Sequence, residues 1–252
     1  MAPATPPRHR ASPLRRWGPF AVGLVALIAV VGWVSHSTIF DLRELRVRGN
    51  HHLSHSEVAS LAGLSDHTNL VWTSPRAIER RLEADPWVAS ATVSRTLPSS
   101  LVIEVRERTP VAIAGANLVA ADGTVLGPAP KDARLPTLSG SLGAVSHGRL
   151  GGSLPQLAVV RVVPPQLLQR VDRVQLEAGG LLAVLLRGDV RVVFGGPDDA
   201  AAKWDALASV LTWARTHGVT PASIDVRAPS SPALRLSTNA AAGAAAGTES
   251  AG

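Results

Sequence analysis

The sequence predicts an α+β protein behind a single N-terminal transmembrane helix, and three observations predict it. An uncharged run from Trp17 to Phe40 follows four arginines and meets no acidic residue before Asp41. Short segments of period 2 and period 3.6 then alternate as far as Arg108, which is the mark of strands and helices mixed along one chain. From Pro110 onward strand-like runs dominate, with one longer helical stretch near the C-terminus. The expected order is a helix, a β-α-α-β-β unit, and a mixed β-rich domain with a C-terminal helix and edge strands. The expected boundaries are a basic cytoplasmic tail over 1–16, the transmembrane helix over 17–39, the first domain over 40–108, a β domain over 109–236 and a disordered tail over 237–252.

The apolar run is long enough to cross a bilayer, since an α-helix needs roughly 20 apolar residues for about 30 Å of hydrocarbon. A cleaved secretory signal has a shorter core of about 7–15 residues and an A-x-A-like site. This run is longer and ends Val34-Ser35-His36-Ser37-Thr38, which favours an uncleaved anchor. Arg8, Arg10, Arg15 and Arg16 precede it, whereas Asp41, Arg43 and Glu44 balance one another after it. The arginine excess places the N-terminus in the cytoplasm and the bulk of the chain outside the cell membrane. Gly18 faces Val22 and Gly23 faces Leu27, so the helix lacks a GxxxG-type pairing face.

Composition excludes several functions. The formal charge is +6, but without the four arginines of the tail 21 basic residues face 19 acidic ones, so no phosphate-binding surface and no nucleic-acid partner are expected. The chain has no cysteine, and with it no disulfide framework, thiolate metal site or thiol nucleophile. An exported part of this size buries a core without disulfides.

After the anchor, Leu45 and Val47 alternate with Glu44, Arg46 and Arg48 as a half-buried strand, and Gly49-Asn50 ends it. Ser54 and Glu57 have capping-box spacing, Val58, Leu61 and Ala62 share a helical face, and Gly63 stops that helix. Ser74-Pro75 reads as a second N-cap with proline at the first helical position, followed by Ile78 and Leu82 on one face. Ala89, Ala91 and Val93, a turn at Leu97-Pro98-Ser99-Ser100, and Leu101, Ile103 and Val105 read as an antiparallel hairpin. Leu45, Val47, Leu61, Ile78, Leu82, Val93, Leu101, Ile103 and Val105 are the expected core of this domain.

Farther on, Val119 to Leu126 is a hairpin about an Asp122-Gly123 turn. Ser139 to Pro155 is a weakly patterned connection, and Pro164-Pro165 splits the stretch Val159 to Leu168 into two pieces. Val171–Glu177, Leu181–Leu186 and Val190–Phe194 form a meander. Asp198 and Asp199 precede a helix carrying Trp204, Leu207, Val210, Leu211 and Ala214, which Gly218 closes. Ile224 to Arg227 and Ala233 to Leu236 flank a Ser230-Ser231-Pro232 turn, and the Ala/Gly/Thr/Ser tail lacks anything to bury.

Motifs that carry chemistry are missing. No G-x-S-x-G, S-x-x-K, H-E-x-x-H, P-loop or G-x-G-x-x-G is present. His51, His52, His55 and Glu57 could be imagined around zinc, but they straddle a turn and a helix cap rather than one helix face, and a solvated loop is the better reading. Trp87 reads as a packing anchor, and Glu104 and Glu107 point apart on a strand and make no hydrolytic carboxylate pair. No catalytic residue, metal ligand, cofactor or small-molecule substrate is expected.

The pieces FDLRELRVRGNHHLSHSEVASLAGL and PWVASATVSRTLPSSLVIEVRERTPVA carry a resemblance. Val47, Gly49 and Asn50, then Pro86-Trp87-Val88, Leu97-Pro98, and Glu107, Arg108, Pro110, Val111 and Ala112 fall in the order seen in the POTRA domain of the bacterial division protein family FtsQ, also called DivIB. The Asp-Gly hairpin and Leu135-Pro136-Thr137-Leu138 continue it, whereas Pro164-Pro165 departs from a helix of that family. Outer-membrane assembly proteins also carry POTRA domains, but usually several, and one is visible here. The resemblance implies a non-enzymatic, single-pass scaffold at the division septum that meets FtsB-like and FtsL-like proteins. It also implies a partner site at the last strands: Ile224, Asp225, Val226 and Arg227, with Ala233, Leu234, Arg235 and Leu236. Leu234 and Leu236 are expected to face inward and Ala233 and Arg235 outward. The alternative is an extracytoplasmic cell-wall-binding or hydrolytic protein with a site no motif announces.

Overall fold

The computed structural model describes residues 14–151 and 154–237. Of the expected tails over 1–16 and 237–252, residues 1–13 and 238–252 lie outside the described residues, as do the side chains of residues 14–19 and 21. Contacts divide the chain after Glu107 into two compact units.

The first unit begins with helix α1, Leu14–Ser35. It starts before and ends before the expected span of 17–39, because Ser35 and His36 turn their side chains back onto the Gly32 carbonyl and a short 3-10 turn follows at Thr38–Phe40. Phe20, Val22, Leu24, Val25, Leu27, Ile28 and Trp33 are all exposed around this helix. Among the described residues no helix is long and apolar enough to cross a membrane.

Strand β1 (Glu44–Arg48), helices α2 (His55–Ala62) and α3 (Pro75–Glu83), and strands β2 (Val88–Thr96) and β3 (Ser100–Glu107) complete the unit. The Ser54–Glu57 capping box is present, and Gly63 ends α2 in the left-handed region. Ser74 precedes α3, but its side chain makes no capping bond, so Pro75 alone marks that start. The hairpin pairs Val93 with Ile103 and Ala91 with Val105. The sheet order is β1-β3-β2, with β1 parallel to β3 and Val47 opposite Ile103. Gly49 follows at φ +78°, where any Cβ would overlap the Val105 carbonyl, so the turn out of β1 requires glycine.

The core of this unit is Val58, Ala62, Leu70, Ile78, Leu82, Val88, Ala91, Val93, Leu101, Ile103 and Val105, with Leu53 at its margin. Leu45, Val47 and Leu61, expected at its centre, are only partly buried. They sit on β1 and the rim of α2, where the sheet has no further strand to cover them. Both sheet edges are engaged: Glu79 and Glu83 of α3 accept the backbone N–H groups of Val93 and Ala91 on β2, and His55 bonds the Leu45 carbonyl on β1.

The second unit is built on one nine-stranded sheet. Its strands are β4 (Pro110–Ala114), β5 (Asn117–Ala120), β6 (Val125–Pro128), β7 (Thr137–Ser139), β10 (Val171–Leu176), β11 (Leu182–Leu186), β12 (Arg191–Gly195), β13 (Pro221–Asp225) and β14 (Ala233–Leu236). A separate hairpin, β8 (Val145–Ser146) and β9 (Arg149–Leu150), lies within the connection expected to be weakly patterned. Helices α4 (Pro155–Val160) and α5 (Pro165–Leu168) flank the break at Pro164, and α6 covers Ala200–Thr216.

The order is β14-β13-β12-β11-β10-β7-β4-β5-β6. The meander β10-β11-β12 and the hairpin β4-β5-β6 are antiparallel, and β7 joins them by parallel pairing to both β4 and β10. Side chains from this sheet and from α4 and α6 form the core, with Trp204 and Phe194 its largest members. Trp204 donates its indole N–H to the Val159 carbonyl at 3.1 Å, fixing α6 to α4. Lys203 is also buried, with Nζ on the Gly196 carbonyl at 3.0 Å and over the Phe194 ring.

Candidate functional site

The strands of the last hairpin are positioned by α6 and by β12. Val192 and Val193 of β12 pair in parallel with Ile224 and Asp225, and the Val226 N–H continues the contact to the Val193 carbonyl. β14 then folds back antiparallel, with Leu234 opposite Ile224 and Ala233 opposite Asp225. This leaves β14 as the terminal strand of the sheet.

At the opposite end of the sheet, β6 is shielded by the small hairpin, through a bridge between Thr124 and Arg149 and a bond from the Val125 N–H to the Gly148 carbonyl. Among the described residues no other element hydrogen-bonds to the outer edge of β14. That row of backbone donors and acceptors is open to pairing.

The residues expected at the partner site divide by depth. Ile224 and Val226 are fully buried, so they support the hairpin from the core and present nothing at the surface. Ala233 and Arg235 are exposed on β14. Leu234 is partly buried against the core, in keeping with an inward face. Leu236, expected inward as well, is 44% exposed, because the space between it and α6 is an open groove rather than packed core.

Arg227 folds back on Asp225, with Nη2 at 2.7 Å from one carboxylate oxygen and its backbone N–H on the other. The bonded Arg227 guanidinium holds the Asp225 carboxyl below its ordinary value against the opposing effect of burial. The aliphatic part of Arg227 lies against Gly195, where the left-handed backbone and the missing Cβ leave room for it.

The groove of about 600 Å³ beside β14 is lined by Ser209, Val210 and Trp213 of α6 and by Pro232, Leu234 and Leu236. Trp213 is 48% exposed and stacks on His217. Sequence reasoning missed Trp213, since it lies off the face set by Trp204, Leu207 and Leu211. The signal available was Ser209 and Val210, four and three residues before Trp213, a spacing that makes each a neighbour of Trp213 on the helix surface.

The histidine cluster of the first unit takes structural roles. His52 stacks on Trp87 with ring centroids 3.5 Å apart, and Glu107 accepts the backbone N–H groups of His52 at 2.7 Å and Leu53 at 2.9 Å. Burial raises the Glu107 pKa, and the backbone donors of His52, Leu53 and His51 outweigh it, so the group lies below the ordinary glutamate value. Glu104 points to Arg48 instead. Among the described residues no group of three or more His, Cys, Asp or Glu is arranged to hold a metal.

The first unit has the order β-α-α-β-β, and the second is a large sheet that ends in an uncovered strand. Residues 40–108 match the family model of the POTRA domain, FtsQ-type. Along more of the chain, it is 27% identical over 218 residues to the cell division protein FtsQ of Mycolicibacterium smegmatis, covering 84% of this chain and 63% of that one. It is 29% identical over 184 residues to the FtsQ of Corynebacterium glutamicum, covering 71% and 80%. With the FtsQ of Syntrophotalea carbinolica it shares 30% identity over 102 residues, 38% of this chain and 36% of that relative. The chain thus carries an FtsQ-type POTRA domain and is similar to cell division proteins named FtsQ over most of its length. Against some of these relatives it spans only about a third of their length, and against others four-fifths.

Proposed function

We propose that this protein is a bitopic membrane scaffold of the bacterial division machinery, which acts at the septum through extracytoplasmic contacts and without catalysis. Helix α1 is read as the single span, with the N-terminus cytoplasmic. What supports this is the uncharged run from Trp17, the arginines before it, and exposed apolar side chains around the helix. From Trp17 to Ser35, after the last arginine, the helix measures about 28 Å, near the roughly 30 Å of hydrocarbon. The division role rests on the similarity to curated FtsQ proteins.

The partner site is proposed at β14, and the observation that carries it is the uncovered strand edge beside the Val210–Trp213–Leu236 groove. An FtsB-like protein, presented together with an FtsL-like one, adds a strand along β14 through main-chain bonds. Its alternate side chains enter the groove, and Arg235, exposed on β14 itself, is the charged residue at that edge.

The test is capture of the FtsB-like partner by the full chain in detergent, compared with Leu234→Pro and with Trp213→Ala. Lost capture by Leu234→Pro and weakened capture by Trp213→Ala, with circular dichroism unchanged, are expected. Full capture by both variants rejects the site.

A further inference from the structure

Among the described residues of the first unit, the large hydrophobic residues left exposed outside α1 are Ile39, Trp72 and Leu97. They are 56%, 64% and 51% exposed. Ile39 lies in the 3-10 turn four residues after the helix. Trp72 belongs to a loop tied directly to the helix end: Asn69 donates its side-chain amide to the Ser35 carbonyl at 2.9 Å, and the His36 ring lies 5.3 Å from the Trp72 ring. The loop is braced internally, since Asn69 also accepts the Val71 N–H and Thr73 bonds the Asn69 carbonyl.

Leu97 joins from the β2–β3 turn. Arg95 beside it donates one guanidinium nitrogen to the carbonyls of Leu70, Val71 and Thr73, at 2.8, 3.3 and 3.1 Å. The Ser99 carbonyl accepts the backbone N–H groups of Arg43 and Glu44 in the segment leading away from the helix. The hairpin tip, the Trp72 loop and the helix end are thus one hydrogen-bonded assembly.

We infer that this assembly is a membrane-surface foot: Trp72, Leu97 and Ile39 enter the headgroup region of the same bilayer that α1 spans, and hold the first unit against it. The inference rests on the reading of α1 as a membrane span. Chain continuity chooses the occupant, because the helix end that must meet the interface is the group to which the Trp72 loop is bonded. Tryptophan favours that depth, with its ring in the apolar boundary and its N–H toward water, and Trp33 in the last helical turn is 80% exposed at the same end. Asp41, Arg43 and Arg95 leave this end mixed in charge, so the attraction is apolar and aromatic rather than electrostatic.

The lack of cysteine permits a direct test. Single variants Trp72→Cys, Leu97→Cys, Leu27→Cys and Ala89→Cys of the full chain are labelled with bimane. They are then reconstituted in vesicles of phosphatidylethanolamine and phosphatidylglycerol containing nitroxide lipids. Ala89 is exposed at the far end of β2, about 25 Å along the strand from Leu97. Lipid with its nitroxide near the headgroup should quench labels at 72 and 97 about two-fold more than at 89, as for interfacial side chains. Lipid labelled deep in its chains should quench the label at 27. Equal quenching at 72, 97 and 89 with position 27 quenched overturns the foot and leaves the span intact. An unquenched label at 27 overturns the span, and the foot with it. Circular dichroism of each labelled protein checks the fold, and Ile39→Cys replaces a variant that fails it.

Discussion

Glu107→Gln removes the charge that holds the turn between β1 and α2, and its cost follows from the geometry. Both carboxylate oxygens are used, one by the His52 N–H and one by the Leu53 N–H, across more than fifty residues of sequence. Asn50 closes the same turn through its amide on the Leu53 carbonyl, and His52 rests on Trp87. A glutamine keeps one acceptor and points its NH₂ at the other N–H, leaving a donor unpaired. Bonds to a charged acceptor contribute about 1.5–3 kcal/mol each when well shielded. This carboxylate is only partly shielded, so about 1–2 kcal/mol is the expected loss after screening. For a domain of this size that lowers the melting temperature by about 4–15 °C.

The pH dependence has a definite sign. The folded pKa of Glu107 is depressed, so its stabilisation is present above the unfolded value of about 4.3 and is lost as pH falls through the lower folded value. Thermal denaturation of the full chain in detergent, followed by near-ultraviolet circular dichroism, should show wild type above Glu107→Gln at pH 7 and the two converging in acid. Equal melting at pH 7, or a gap that persists undiminished once the carboxylate is protonated, refutes the reasoning.

Gly49→Ala should cost about 2 kcal/mol or more in denaturant unfolding, because it combines a left-handed backbone with overlap on the Val105 carbonyl. Ile103→Ala, at a fully buried position in the middle strand of the first sheet, should cost about 2–5 kcal/mol, read from the same denaturant midpoints. Trp204→Phe keeps the packing against Phe194 but frees the Val159 carbonyl, and a loss of about 1–3 kcal/mol is expected in the unfolding of the second unit. A reporter active only in the cytoplasm should work when fused before Arg8, and one active only after export should work after Leu236; the reverse pattern would overturn the proposed orientation.

Elements whose causes are local were legible before any folding was considered. Ser54, Glu57 and Gly63 frame α2 because a capping box and a left-handed stop act within one turn. Alternation over 88–107 and the break at Pro164-Pro165 likewise work within a few residues, as does the Asp122-Gly123 turn. Tertiary structure alone decided that β1 lies beside β3 and that β7 joins two antiparallel groups into one sheet, since parallel pairing is set by long connections that leave no periodic mark. It also decided that Leu45 and Val47 stay half exposed on an edge, that Ile224 and Val226 lie in the core while Leu236 borders a groove with Trp213, and that Glu107 reaches His52. Periodicity shows which face of an element is apolar; which neighbour covers that face, and where cover is missing, depends on segments far away in the chain.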